Sequence, residues 1–390
     1  MLLTGVIEKV HKVFTYKCTD YNDVSIESYI QQIIDTSFPE EVFDNKTVFV
    51  KPNLLMRKAP DQAVTTHPVL VKEVCLYFIK KGAKVIIGDS PGGPNSTAWL
   101  KSVYKATGMS WAAEESGAEL NYDLTPCSKS IKFKNSHKEL QVLKAVVDSD
   151  YLINLPKCKT HGLTVFTGGP KNLYGCIPGL IKAKYHLELS EIDNFCELII
   201  ALAELLKPNL TIMDAIVGME GEGPSGGTPK YLGYIIASKN PYLVDTIATQ
   251  MIGLEPLDTP VLKLAHKQGV FSLADSINHI GHTETEVVPF KLPVATKYAD
   301  FSDRLAGRLP QKLITSIYKW LKPTLVFSEE KCTGCKVCIE SCPASAMTLY
   351  DKKPKVSAKE CIYCYCCHEL CPKGAVSVKR PALARWLFKD

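Results

Sequence analysis

Along most of the chain, short apolar runs rich in β-branched residues alternate with stretches whose apolar positions recur every three to four residues, the signatures of buried strands and one-sided helices. Thr47 to Val50 predicts a buried strand, His67 to Lys81 a helix with Pro68 in its first turn, and Ala83 to Gly88 the next strand, which together make one βαβ unit. Tyr151 to Leu155, Leu210 to Val217 and Leu232 to Ala237 predict further strands. Ser190 to Leu206, closed by Lys207-Pro208, and Pro241 to Ile252 predict helices. The alternation implies an α/β domain over residues 1–300, a mainly parallel sheet with helices on both faces.

That pattern stops near residue 300. Phe301 to Leu321 reads as an amphipathic segment interrupted by Pro310 and closed by Pro323, so residues 301–328 are expected to link or strap two domains. Its Arg304, Arg308, Lys312, Lys319 and Trp320 would also suit a membrane surface, as would Trp386-Leu387-Phe388. Residues 329–390 are expected to form a small C-terminal α+β domain, and there cysteine replaces apolar periodicity as the dominant signal.

Cys332, Cys335, Cys338 and Cys342 are followed by Pro343, and Cys361, Cys364, Cys367 and Cys371 by Pro372, so the spacing C-x2-C-x2-C-x3-C-P occurs twice. A spacing of three lets one tight loop aim three thiolates at a single iron-sulfur cube, while the fourth cysteine turns toward the cube of the other half. On that rule one 4Fe-4S cluster takes Cys332, Cys335, Cys338 and Cys371, and a second takes Cys361, Cys364, Cys367 and Cys342. The segment from Glu329 to Val378 resembles a bacterial-type ferredoxin module with two clusters, which implies electron transport with an external redox carrier or partner oxidoreductase. Disulfides and zinc sites are the competing readings of the same cysteines, and clusters of purely structural use are a third. Cys366 departs from the pattern as an extra neighbour of Cys367, and the spacing makes it a spectator thiol beside the cluster.

Length and composition restrict the rest. At about 150 residues per domain, 390 residues make two to three domains, and 46% hydrophobic with 22% charged residues is a globular composition. The most apolar stretch, Cys196 to Leu206, is broken by Glu197 and Glu204, so no spanning helix is expected. The first residues lack the run of a secretion signal, and a cytoplasmic setting is expected. The net charge of +5 lies in the tail, where Lys331 to Asp390 holds 11 basic against 5 acidic residues. No nucleic-acid reader motif accompanies that charge, so nucleic acid is not an expected partner.

In open parallel sheets ligands gather beyond the carboxyl ends of the strands. Polar residues follow each predicted strand: Lys51 and Asn53, then Asp89 and Ser90, then Lys157, Lys159 and His161, with Lys171 and Asn172 in the glycine-flanked loop 168–175. Four lysines facing one crevice would bind an anion, so these residues are expected to hold an anionic small molecule. No dinucleotide or P-loop glycine pattern is present. His161 is the best-placed histidine for proton exchange, and Asp214, amid apolar neighbours, the candidate acid, base or metal ligand. Asp245, early in its helix, reads as ordinary capping.

Five stretches, Val48 to Leu54, Gly82 to Gly92, Ile153 to His161, Pro170 to Gly175 and Met213-Asp214-Ala215 with the following glycines, make the chain resemble the domain-of-unknown-function family numbered 362. That family often carries a C-terminal ferredoxin module, and the resemblance implies a fold and motif positions rather than a reaction. The expected role is therefore an iron-sulfur oxidoreductase passing electrons through two 4Fe-4S clusters to an anionic substrate or cofactor, with flavin use left open. Two other roles remain: an electron carrier or scaffold with no substrate of its own, and a factor that matures another enzyme's metallocofactor, for which Cys158, Cys176, His161 and Asp214 are candidates.

Overall fold

The computed structural model describes residues 10–93, 96–134, 136–179, 181–293, 324–351 and 353–379. The expected strap at 301–321 and the aromatic tail at 386–388 lie outside them. The strands are β1 (His11–Lys17), β2 (Thr47–Pro52), β3 (Lys84–Ile87), β4 (Glu119–Leu120), β5 (Pro126–Phe133), β6 (Ser136–Leu143), β7 (Tyr151–Leu155), β8 (Lys157–His161), β9 (Val165–Thr167), β10 (Leu210–Glu220), β11 (Thr228–Ser238) and β12 (Ile277–Gly281). The main sheet runs β12-β1-β11-β10-β7-β2-β3-β4, with β8 joined to β10 and β9 to β8. Pairing is parallel from β10 through β7, β2, β3 and β4 and between β1 and β12; β11 runs antiparallel to both its neighbours.

Helices cover both faces because successive residues of each strand point to opposite sides. Val48, Val50, Ile153, Ile212 and Ile216 enter one core with the helices α1 (Ser25–Ser37), α2 (Pro68–Lys80), α3 (Thr97–Ala106) and α4 (Met109–Ser116). Phe49, Leu152, Met213 and Ala215 enter the other, whose later elements are α5 (Lys144–Val147), α6 (Gly169–Asn172), α7 (Ile181–Glu188), α8 (Ile192–Leu206), α9 (Pro241–Met251) and α10 (Pro260–Lys267). Helix α2 begins as its sequence dictates: Pro68 takes the first position and the His67 imidazole accepts from the Val69 amide at 3.3 Å.

Two expectations change. Residues 157–161, read as a loop after β7, form the buried strand β8, which an apolar-run criterion misses because Pro156 interrupts it and its sequence is Lys-Cys-Lys-Thr-His. The boundary near 329 also shifts, since Thr324–Phe327, assigned above to the linker, pairs antiparallel with Val376–Lys379 and so belongs to the C-terminal module. A second hairpin there joins Met347–Tyr350 to Lys353–Val356. Among the described residues no helix is long and apolar enough to cross a membrane.

Candidate functional site

In β8, Lys157, Lys159 and His161 share one side of the strand while Cys158 packs into the core on the other. The three polar side chains nevertheless go to two different places. Lys157 is fully buried against Asp214, with Nζ 2.8 Å from Oδ2. Both groups are claimed further: the Tyr21 hydroxyl donates to Asp214 Oδ1 at 2.8 Å, the His67 amide donates to Oδ2 at 2.8 Å, and Lys157 Nζ donates to the Tyr21 oxygen at 2.8 Å. An ion pair this well satisfied is a structural unit. Lys157 and Asp214, expected at the substrate, lie off the cavity that Lys159 and His161 line.

That cavity, of about 130 Å³, opens at the carboxyl ends of β2, β3 and β8, where the C-terminal module meets the α/β domain. Lys51, Asn53, Asp89, Ser90, Lys171 and Asn172 all line it, and Lys182 and His186, which no sequence motif marks, join them from α7. The module supplies Cys366, Glu369 and Leu370. Lys182 and His186 carried no signal because α7 begins in a sequence with a polar pattern and its inward face is set by tertiary packing. Lys182 donates to the Ser90 carbonyl, and the Gly179 amide donates to the Ser90 hydroxyl at 2.7 Å.

An amide network fixes the floor. Lys159 Nζ donates to Asn53 Oδ1 and to the Val64 carbonyl, both at 2.7 Å; Asn53 Nδ2 donates to Asn172 Oδ1 at 3.0 Å; Asn172 Nδ2 donates to Asn154 Oδ1 at 2.8 Å. Lys51 sits 2.9 Å from Asp89 and donates to the Pro52 carbonyl. This pair leaves room only for a glycine at 175, where a Cβ would stand 2.1 Å from Asp89 Oδ1 and 2.6 Å from Lys51 Nζ. Asp245 from α9 accepts the Gly169 amide at 2.6 Å and so anchors α6, which carries Lys171 and Asn172; burial holds its carboxyl well above the ordinary range. It is a positioning residue, not the helix cap its place in the sequence indicated.

The cations here are poorly matched. Asp89 serves Lys51, while Lys159 has only neutral oxygens and Lys171 stands over the rings of Phe195 and Tyr174 at 5.8 and 6.0 Å. Burial, and then the nearby Lys171, lowers Lys159 well below its ordinary value; burial also lowers Lys171 and takes Lys182 down to about 8. His161 is held far below its usual value by burial and by Lys171 and Lys159, so its ring is neutral. Its Nδ1 accepts from the Leu163 and Thr164 amides at 3.0 and 3.3 Å, which leaves the proton on Nε2, 3.4 Å from Glu369 Oε1. Thr167 lines the same cavity, and its buried hydroxyl has no hydrogen-bond partner among the described residues.

The module's cysteines fall into two groups. Cys332, Cys335, Cys338 and Cys371 line one small apolar cavity, with no other cysteine among its lining residues. Cys364, Cys361 and Cys342 are electrostatic neighbours of Cys367, and Cys338 adjoins that group. Four thiols around an apolar cavity fit a 4Fe-4S cluster, in which each sulfur binds a different iron. None of the 15 cysteines is in a disulfide. Cys158 and Cys176 are buried in the core and Asp214 is held by Lys157, so the four candidates for a metallocofactor-handling site do not converge. The module is fastened to the α/β domain by the Ser225 hydroxyl, which donates to the Glu369 carbonyl at 2.6 Å, and by Leu370, packed so closely on Gly92 that an added Cβ would lie 2.2 Å from its Cδ2.

An α/β domain with a lysine-bearing cavity at its strand ends, closed by a cysteine-rich module, defines a two-domain iron-sulfur protein. Residues 324–372 match the 4Fe-4S dicluster domain, an electron-transfer module. Residues 48–250 match the model described as Domain of unknown function (DUF362), and the chain belongs to that family. It is 30% identical over 265 residues to the thylakoid-associated protein sll1697 of Synechocystis sp., a match covering 65% of this chain and 78% of that protein. Among solved structures it is similar to the lactate racemase apoprotein from Thermoanaerobacterium thermosaccharolyticum, with a TM-score of 0.35 and 13% identity over 60% of this chain and 55% of that one.

Proposed function

We propose that this protein is an iron-sulfur oxidoreductase whose α/β domain binds an anionic substrate or cofactor in the seam cavity, next to a 4Fe-4S cluster held by Cys361, Cys364, Cys367 and Cys342. Cys332, Cys335, Cys338 and Cys371 hold the other. The clusters, when bound, supply one-electron transfer. One observation carries this reading: Cys366 and Glu369, from the turn that also carries Cys367, line the same cavity as Lys159, His161 and Lys171. A ligand drawn to those cations would lie beside Cys366, the chain neighbour of Cys367, and the burial of Cys366 and Cys367 keeps water away from that side. In the first group Cys335 is exposed, which gives an external redox carrier access there. Lys159 and Lys171 attract and orient the anion, Asn53 and Asn172 hold Lys159 and Lys51 in place, and the His161 Nε2–H is a hydrogen-bond donor to it. A cytoplasmic setting, where thiols stay reduced, suits this chemistry.

The test is reoxidation. Protein reconstituted without air and reduced with dithionite is mixed with candidate anionic acceptors, and the visible absorbance of the clusters is followed. At least one acceptor should restore it faster than buffer alone, and Lys171→Gln should slow that restoration about tenfold or more while iron content stays normal. If no acceptor outpaces buffer, or if Lys171→Gln makes no difference, the reading falls and a carrier without its own substrate takes its place.

A further inference from the structure

The seam cavity already holds one carboxylate, supplied by the chain itself. Glu369 reaches out of the cysteine module and sets Oε1 3.4 Å from His161 Nε2, with Lys171 and Lys159 among the charges acting on it. Its backbone carbonyl is tied to Ser225, so the side chain is delivered from a fixed point. Around this carboxylate the charge is unbalanced. Asp89 is paired with Lys51, so among the described residues Lys159, Lys171 and Lys182 on the cavity face Glu369 and only the shared charge of Asp89.

Three further features mark a built site. Lys182 reaches the Ser90 carbonyl and no carboxylate partner. Among the described residues Lys171 Nζ makes ring contacts and no hydrogen bond. Thr167, 3% exposed, lines the same cavity with a hydroxyl that has no partner among the described residues, and a buried orphan of this kind costs about 1–3 kcal/mol unless something pairs with it. The backbone amides nearby are already spent: Ser90 N on the Gly175 carbonyl, Gly92 N on the Leu55 carbonyl and Gly179 N on the Ser90 hydroxyl. The free donors are thus side chains, arranged about a spot that accepts a planar carboxylate, rather than the ring of amides that typically cradles a phosphate.

We propose that the cavity binds a small dicarboxylate, one carboxylate taking the place that the Glu369 side chain fills beside His161 and Lys171, the other matched to Lys182. This rests on the reading of the cavity as an anion site given above and names the class of anion. Glu369 then acts as a built-in competitor: it stabilises the empty cavity and must yield when the ligand arrives. Because Glu369 lies two residues from Cys367, the exchange couples occupancy of the cavity to the packing of the module against the α/β domain.

The experiment is calorimetric titration of the anaerobically reconstituted full chain with succinate, acetate and inorganic phosphate. Succinate should bind at least about tenfold more tightly than acetate or phosphate. Lys171→Gln should weaken succinate about tenfold or more, whereas Glu369→Gln, which removes the competing charge, should tighten it by a similar factor. Opposite signs from two substitutions in one cavity cannot come from misfolding, and cluster absorbance checks that the module is intact in both. Phosphate binding as well as succinate, or weaker succinate binding in Glu369→Gln, overturns the proposal. The readout is heat and not electron flow, so the two readings fail separately: succinate can fail while another anion still reoxidises the clusters, and succinate can bind while no acceptor does.

Discussion

Glu369 and His161, 208 positions apart in the sequence, meet with Oε1 and Nε2 separated by 3.4 Å, and this contact joins the cysteine module to the strand that carries the cavity's lysines. Neither side chain has this role within its own domain. The module brings the carboxylate, β8 brings the imidazole, and the Leu163 and Thr164 amides fix which ring nitrogen keeps the proton. The functional unit is therefore the seam, and variants there should separate effects on the fold from effects on the ligand.

Asp214 should behave as a structural residue. Asp214→Ala leaves the fully buried Lys157 without its anion and orphans the His67 amide, which should cost about 3–5 kcal/mol. The paired substitution Lys157→Met with Asp214→Leu should recover much of that loss. Urea unfolding curves read both, and an Asp214→Ala variant of normal stability would return Asp214 to the list of candidate catalytic groups.

Gly175→Ala should weaken the protein through the cavity floor. Its methyl would overlap Asp89 and Lys51, both buried and paired to each other, so the pair must part or the turn must shift. A loss of about 2–4 kcal/mol is expected. Thermal melts of the wild type and variant at equal cluster loading measure it.

Anion affinity should fall as the pH rises through about 8. Burial brings Lys182 down to about 8, so below that pH it is protonated and attracts an anion, and above it the amine is neutral. Asp89, Lys51 and Cys176 face it; burial pushes the Cys176 thiol up to about 12, so across this range the charges acting on Lys182 are those of Asp89 and Lys51. Asp89 supports its charge, while Lys51 opposes it. A bound anion itself favours the protonated amine and moves the midpoint upward. Titrations of succinate across pH 6.5 to about 9.5 should show this decline, and Lys182→Met should flatten it.

The two neighbouring cysteines should behave differently. Cys367→Ala removes a cluster ligand and should lower bound iron and sulfide by about half. Cys366→Ala should keep the full complement, because the spacing assigns it no cluster. Iron and acid-labile sulfide analysis of anaerobic samples distinguishes them, and iron loss in Cys366→Ala would mean that the thiols exchange roles.

Much of this architecture was written locally. Val48, Phe49 and Val50, or Leu152 and Ile153, alternate between two cores, and apolar β-branched runs report that directly; Pro68 and Asn240 mark where helices begin because backbone capping is a short-range matter. The cysteine spacing was equally local, since three thiols in one loop are positioned by that loop. Strand β8 was legible only as the alternation Lys-x-Lys-x-His, a period of two that hydrophobicity conceals.

What the sequence by itself determined was the alternating α/β pattern, the two cysteine repeats and the cations that follow the strands. Tertiary structure decided which of those cations share a space: it buried Lys157 with Asp214, opened Lys159, His161 and Lys171 to the cavity, and added Lys182, His186 and Glu369 from elements far along the chain. The physical reason is range. Strand and helix periods and loop spacings are set by neighbours a few residues away, whereas the pairing of a buried charge depends on whichever opposite charge the folded chain brings within hydrogen-bonding distance.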